Sequence, residues 1–184
     1  MTKFIFDRVI SFFALLFFIP ILLIFVIISS IQTNSFGLFT QKRVGQYGKM
    51  FSIFKIKTIH PESGNISKWN ALLRKFKLDE LPQLINILIG NMSFVGPRPD
   101  IPGYYDKLDS AQQEVLKLKP GLTSEASLKY ADEESLLRNK INPLEYNDKV
   151  IFPDKVKMNL DYYHKRNFLL DLKIIIRTLF YHYN

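Results

Sequence analysis

The sequence predicts a mainly α-helical chain with little β structure: a re-entrant N-terminal membrane helix, then interfacial amphipathic helices around a small cytosolic domain. Three observations carry this expectation. Residues 9–31, VISFFALLFFIPILLIFVIISSI, run for 23 positions without a charge. Three later segments space their apolar residues as helices do. The formal charge of +8 is also concentrated: residues 42–78 hold nine Lys or Arg against one acid, Glu62.

The uncharged run is long enough for a bilayer core of about 30 Å at about 1.5 Å per residue. It lacks the short apolar core and small-residue cleavage site of a secretory signal. Pro20 sits in its middle, where a helix loses one hydrogen bond and bends. Cations flank both ends, Lys3 and Arg8 before and Lys42 and Arg43 after, so both ends favour the cytosolic side. A helix broken at Pro20 that enters and leaves by one leaflet meets both conditions; an ordinary spanning helix with a tolerated proline is the alternative. The sequence divides into a membrane-embedded segment, residues 1–38, and a cytosolic, membrane-associated domain, residues 39–184.

At 184 residues the chain is one domain's worth, with 47% apolar residues and no cysteine. Disulfides and thiolate metal sites are thereby excluded. The basic block directly after the membrane segment suits anionic lipid or a phosphorylated ligand near a membrane surface. The apolar anchor argues against nucleic acid as the partner.

Turn signals at Gly45 and Gly48 precede an alternating stretch, MFSIFKIKTI. It predicts a short strand or extended loop with Phe54, Ile56 and Thr58 on one face and Lys55 and Lys57 on the other. Ser67 is a candidate N-cap for a helix whose Trp69, Leu72, Leu73 and Phe76 form one stripe, opposite Lys68, Arg74, Lys75 and Lys77. That face fits either the bilayer interface or a soluble core. Leu81, Leu84, Ile85, Leu88 and Ile89 form a second stripe, stopped at Gly90-Asn91. Phe168, Leu169, Leu172, Ile175, Ile176, Leu179 and Phe180 form a third, interrupted by charges and so surface-attached or core-packed. His60, His164 and His182 lack ligand spacing and read as structural.

KFKLDELPQL, residues 75–84, places Asp79 and Glu80 where a helix is expected to begin, with Pro82 tolerated in the first turn. Adjacent residues on a helix point about 100° apart, so this is no facing acid/base pair of the glycosidase kind. A helix N-terminus favours an ionised carboxylate and welcomes phosphate. An ionised aspartate can attack phosphorus if a divalent cation such as Mg²⁺ relieves the repulsion between anions. Capping alone is the competing account of the two acids. Downstream, Pro97 and Pro99 clamp Arg98, whose guanidinium suits bidentate phosphate binding; a rigid turn with a solvated arginine is the alternative.

Taken together, RVGQYGKMFSIFKIKT, LDELPQLINILIGNMSFVGPRP, LKPGLTS and DYYHKRNFLLDLKIIIRTL, in this order, resemble the bacterial sugar transferase family, the monotopic phosphoglycosyl transferases. The resemblance spans nearly the whole chain and is similar to the minimal form without a multi-span N-terminal region. It implies transfer of a sugar phosphate from a UDP-sugar to a polyprenyl (undecaprenyl) phosphate at the cytosolic face of the bacterial inner membrane, with release of UMP. This would be the first membrane step of glycoconjugate or surface polysaccharide assembly. By the same resemblance Asp79 is the nucleophile that forms a covalent phosphosugar. Glu80 assists, and both hold Mg²⁺. Arg98, Pro97 and Pro99 serve a nucleotide phosphate, as would the cations Lys55 and Lys57, and Pro20 is the membrane break.

Three departures accompany the match. Ile19 precedes the proline where relatives often have serine, Lys57 stands where an arginine is usual, and Ala131 falls where an arginine is often found. Arg138 is a candidate substitute for the last. The sugar, the polyprenyl length and homodimer formation stay open. So do a non-catalytic membrane-surface binder and an inactive family member as alternatives.

Overall fold

A computed structural model describes residues 2–181. The chain is mostly helical and divides into two compact units, Met1–Arg43 with Met50–Met92, and Val44–Lys49 with Ser93–Asn184.

The first unit opens with α1, Thr2–Thr33, 32 residues long and apolar enough to cross a membrane by length and composition. It continues through Pro20 without interruption. Proline has no N–H to offer the Leu16 carbonyl. One stripe of α1 is buried, Asp7, Ser11, Leu15, Leu22, Phe25, Ser29 and Thr33. Their spacing of three, four or seven residues is that of a single helix face. Most of the remaining apolar residues, among them Leu16 and Phe17, stay exposed. The polar ends of the stripe are bonded: Ser11 Oγ donates to the Arg8 carbonyl, Thr33 Oγ1 to that of Ser29, and Ser29 Oγ to that of Lys57. Asn34, at φ 47°, ends the helix in the left-handed region that Asn tolerates.

Strands β1 (Leu38–Val44) and β2 (Met50–Ile56) form a two-stranded sheet. The expected alternation in β2 is broken. Phe51 and Ile53 are buried, then Ile56 and Thr58, so the inward parity changes between Ile53 and Ile56. Lys55 and Lys57 reach different partners, Glu80 and Ser35. Helix α2 (Lys68–Lys75) begins as expected, with Ser67 Oγ accepting from the Asn70 N–H at 3.1 Å. Its predicted stripe splits. Leu73 is buried and Trp69 meets Phe25 edge to face, whereas Leu72 and Phe76 are exposed. Burying a side chain such as Leu73 contributes about 2 kcal/mol.

Lys77 turns the chain at φ 55° into a single 3₁₀ turn, Leu78–Glu80, and α3 follows over Gln83–Leu88 with Pro82 just before it. Asp79 and Glu80 therefore lie one short turn ahead of α3. Gly90, at φ 88°, ends the segment, and the Gly90 N–H closes the last turn onto the Ile87 carbonyl.

In the second unit β3 (Ser93–Val95) pairs in parallel with β4 (Gly121–Thr123), Ser93 beside Gly121 and Val95 beside Thr123. Helices α4 (Glu125–Lys129), α5 (Glu133–Arg138), α6 (Pro143–Tyr146), α7 (Phe152–Lys165) and α8 (Phe168–Leu179) follow. Its core gathers Val95, Val115, Leu118, Val156 and Ile174. Two buried polar pairs sit among them, Asn159 Nδ2 donating to Tyr105 Oη at 2.9 Å and Tyr162 Oη donating to Asp171 at 2.5 Å. The predicted C-terminal stripe is not the core face. Leu172 and Ile175 are half-buried and Phe168, Leu169, Ile176, Leu179 and Phe180 are exposed, whereas Asp171 and Ile174, outside that stripe, are the buried residues of α8.

Candidate active site

The first unit brings three of the expected residues together. Asp79 and Glu80 are buried on the 3₁₀ turn, where successive side chains diverge by about 120°. Lys55, from β2, places its Nζ 2.9 Å from Glu80 Oε1. Asp79 Oδ1, in contrast, is buried without any hydrogen-bond partner. An unsatisfied buried oxygen is costly, and a residue present only to cap a helix would spend that oxygen on a backbone N–H.

The electrostatics follow from this placement. Burial above all, and then the charge of Glu80, push the Asp79 carboxyl from the usual 3.8 up to about 6. Lys55, Arg74 and Lys77 pull the other way. Near neutral pH Asp79 is thus still mostly ionised, yet poorly solvated and unbonded at Oδ1, a combination that suits a nucleophile. Arg74 and Lys77 went unrecognised as neighbours of this carboxylate. The run of cations in RKFK just before it was the available signal.

A hard divalent cation fits this donor set. Among the described residues no cluster of three or more metal-ligating side chains exists. Mg²⁺ needs no such cage, since it is commonly held by one or two carboxylates together with waters and substrate phosphates. Asp79 Oδ1 is the oxygen left available for it.

Lys57 behaves differently from Lys55: its Nζ donates to Ser35 Oγ at 3.1 Å, just past the end of α1. The remaining candidates belong to the second unit. There Pro97 and Pro99 are buried and flank an exposed Arg98. Backbone bonds hold the loop on both sides: the Gly121 N–H donates to the Pro97 carbonyl at 2.8 Å, the Gly96 N–H to that of Thr123 at 3.0 Å, and the Val44 N–H to that of Asp100 at 2.9 Å. The two backbones run so close at Gly96 and Gly121 that a Cβ on either would overlap main-chain atoms of the other segment. Glycine is required there by space. The loop is stiff, as its two prolines led one to expect.

His60 Nδ1 accepts from the backbone N–H groups of Glu62 and Ser63, a loop-stabilising role, and His164 lies 3.7 Å from Glu114 on the surface. His182 lies outside the described residues.

Residues 1–184 match the bacterial sugar transferase family. The chain belongs to that family. It is accordingly an enzyme, a phosphoglycosyl transferase. Among its relatives, the uncharacterised sugar transferase EpsL of Bacillus subtilis is 30% identical over 187 aligned positions, covering 96% of this chain and 85% of EpsL. The UDP-glucose:undecaprenyl-phosphate glucose-1-phosphate transferase of Klebsiella pneumoniae is 31% identical, over 95% of this chain and 38% of its own length. The enzyme of the same name from Xanthomonas campestris is 29% identical, over 94% of this chain and 37% of its own. The chain thus spans most of EpsL but under two fifths of the latter two transferases.

Proposed function

We propose that this member of the family transfers a sugar 1-phosphate from a UDP-sugar to undecaprenyl phosphate, releasing UMP, with Asp79 as the nucleophile. The names of the Klebsiella and Xanthomonas relatives support the donor and acceptor classes. The observation that carries the mechanism is the buried, unpartnered Oδ1 of Asp79. In the first half-reaction Asp79 attacks the sugar-bearing phosphorus, the bond from that phosphorus to the bridging oxygen breaks, and UMP leaves. In the second, an oxygen of the polyprenyl phosphate attacks the same phosphorus and frees the carboxylate.

Lys55 neutralises Glu80 and, with Arg74 and Lys77, offsets part of the repulsion that a doubly acidic turn presents to a pyrophosphate. Glu80 assists at the acidic turn, and Asp79 and Glu80 would together hold Mg²⁺, which when bound screens the phosphate charge. Arg98, on its stiff loop, serves a nucleotide phosphate; for Lys57, bonded to Ser35, a phosphate contact requires leaving that partner. We further propose that α1 anchors the chain at the cytoplasmic face of the inner membrane as a re-entrant helix. Residues 1–38 would be embedded and 39–184 catalytic, on the strength of Pro20 and the cationic flanks. Homodimer formation belongs to the same set of proposals.

The test is incubation of purified protein with a panel of UDP-sugars, undecaprenyl phosphate and Mg²⁺, monitoring UMP. Donor without acceptor should leave a phosphosugar adduct on Asp79, seen by mass spectrometry. Asp79→Asn should form none and lose turnover by several orders of magnitude. Near-normal UMP release by Asp79→Asn would sink the covalent mechanism.

A further inference from the structure

The buried face of α3 is not the stripe expected from the sequence: Ile85 and Ile89 are exposed, and Asn86 lies with Gln83, Leu84 and Ile87 on the buried side, itself fully buried. A polar side chain in such a place must be bonded, and its partners are informative. Asn86 Oδ1 accepts the Phe54 N–H at 3.1 Å, and Asn86 Nδ2 donates to the Ser52 carbonyl at 2.7 Å. Both groups belong to β2. Residues two apart in a strand present their backbone groups to the same edge, so one amide side chain pairs with β2 much as a neighbouring strand would. Meanwhile the Asn86 carbonyl accepts from the Asn91 and Met92 N–H groups, at 2.9 and 3.1 Å, which fixes the residue itself.

The two segments joined in this way carry the charged groups of the site. Lys55 follows Phe54 directly in β2. Asp79 and Glu80 precede α3, and the backbone bonds Glu80 to Lys77, Leu81 to Leu78, Leu84 to Leu81 and Ile85 to Pro82 continue from the acidic turn into the helix. A shift of β2 along α3 would therefore alter the separation of Lys55 from Glu80, and nothing but the Asn86 amide is bonded to both Ser52 and Phe54 on that edge among the hydrogen bonds described above.

We propose that Asn86 is a positioning residue, whose side-chain amide sets the register of β2 on α3 and thereby holds Lys55 against Glu80. The role requires a donor and an acceptor on one short side chain. Aspartate would turn an oxygen toward the Ser52 carbonyl, and serine is too short to span both groups. The consequence for turnover rests on the reaction proposed above; the consequence for Lys55 does not.

The test separates the two. Competitive acylation of the intact protein, read lysine by lysine by mass spectrometry, measures how well Lys55 Nζ is protected by Glu80. Lys155, paired with Glu133 at 2.6 Å in the second unit, is the internal control. Asn86→Ser and Asn86→Asp should each raise Lys55 acylation about tenfold, toward the rate in Glu80→Gln, and leave Lys155 unchanged. Combined with Glu80→Gln, neither should raise it further, because the pair is already broken. Turnover by the Asn86 variants should fall in kcat more than in donor KM, as expected for a displaced group rather than a lost binding contact. Unchanged Lys55 acylation overturns the proposal, and so does a parallel rise at Lys155, which would mean general loosening. If Asp79→Asn retains turnover while Lys55 responds as stated, the covalent chemistry fails and the positioning role stands.

Discussion

Replacing Asp79 by asparagine should make the protein more stable at neutral pH while abolishing its activity. In the unfolded chain an aspartate titrates near its ordinary value of 3.8, whereas burial and the neighbouring Glu80 raise Asp79 in the folded protein to about 6. Between these values the folded state binds the proton more tightly, so stability declines as pH rises from about 4 to about 6 and stays low above. The difference of roughly two pKa units corresponds to a penalty on the order of 3 kcal/mol at pH 7.5. Asparagine preserves the shape and carries no charge to desolvate. For a chain of this size that gain equals a rise in melting temperature of roughly 6–12 °C. The assay is thermal unfolding of wild type and Asp79→Asn in identical detergent micelles or nanodiscs, at a constant scan rate, with chelator and without donor, at pH 7.5 and pH 4.5. The gain should be large at the higher pH and fall to about a third of that at the lower. Equal melting temperatures at pH 7.5, or the same gain at both, would refute the account of a destabilised, desolvated carboxylate. Added Mg²⁺ should narrow the difference at pH 7.5 by favouring the ionised wild-type carboxylate.

Other consequences can be checked in parallel. Lys55→Met removes a cation that lowers the Asp79 pKa; the acidic limb of the pH–rate profile should move to higher pH, and an unmoved limb would show that Lys55 does not act on Asp79. Gly121→Ala forces a Cβ into the Gly96 backbone and should cost ~3 kcal/mol or more, read as a lowered melting temperature, since neither main chain can yield cheaply. Truncating the fully buried Ile174 to alanine should cost about 2–5 kcal/mol by the same assay. Cysteines introduced at positions 3 and 42 should both be labelled only from the cytosolic side, and Pro20→Leu should shift position 3 toward periplasmic labelling. Periplasmic labelling of position 3 in the otherwise unaltered protein would instead establish a spanning helix.

Much of this protein was decided by short-range information. The long apolar helix, the Ser67 cap, the stop at Gly90 and the stiffness around Arg98 all follow from residues within a few positions of one another, because caps, helical periodicity and proline act locally. Asp79 and Glu80 could be picked out for the same reason, as adjacent acids beside a proline. Three-residue strands such as β3 and β4 leave no room for a period, and their pairing joins residues 93 and 121, so no local signal announces them. The parity change in β2 was likewise hidden, and so was the divergence of Lys55 toward Glu80 and of Lys57 toward Ser35. Only tertiary packing could choose between two acids that cap a helix and two acids with different fates. Glu80 meets a lysine 25 positions away, and Asp79 is left with a buried oxygen that nothing bonds. Burial and long-range pairing are properties of the folded surface, set by how β2, α2 and α3 close on one another. The identity of the acidic residues is written in the chain, and their inequality arises where those segments meet.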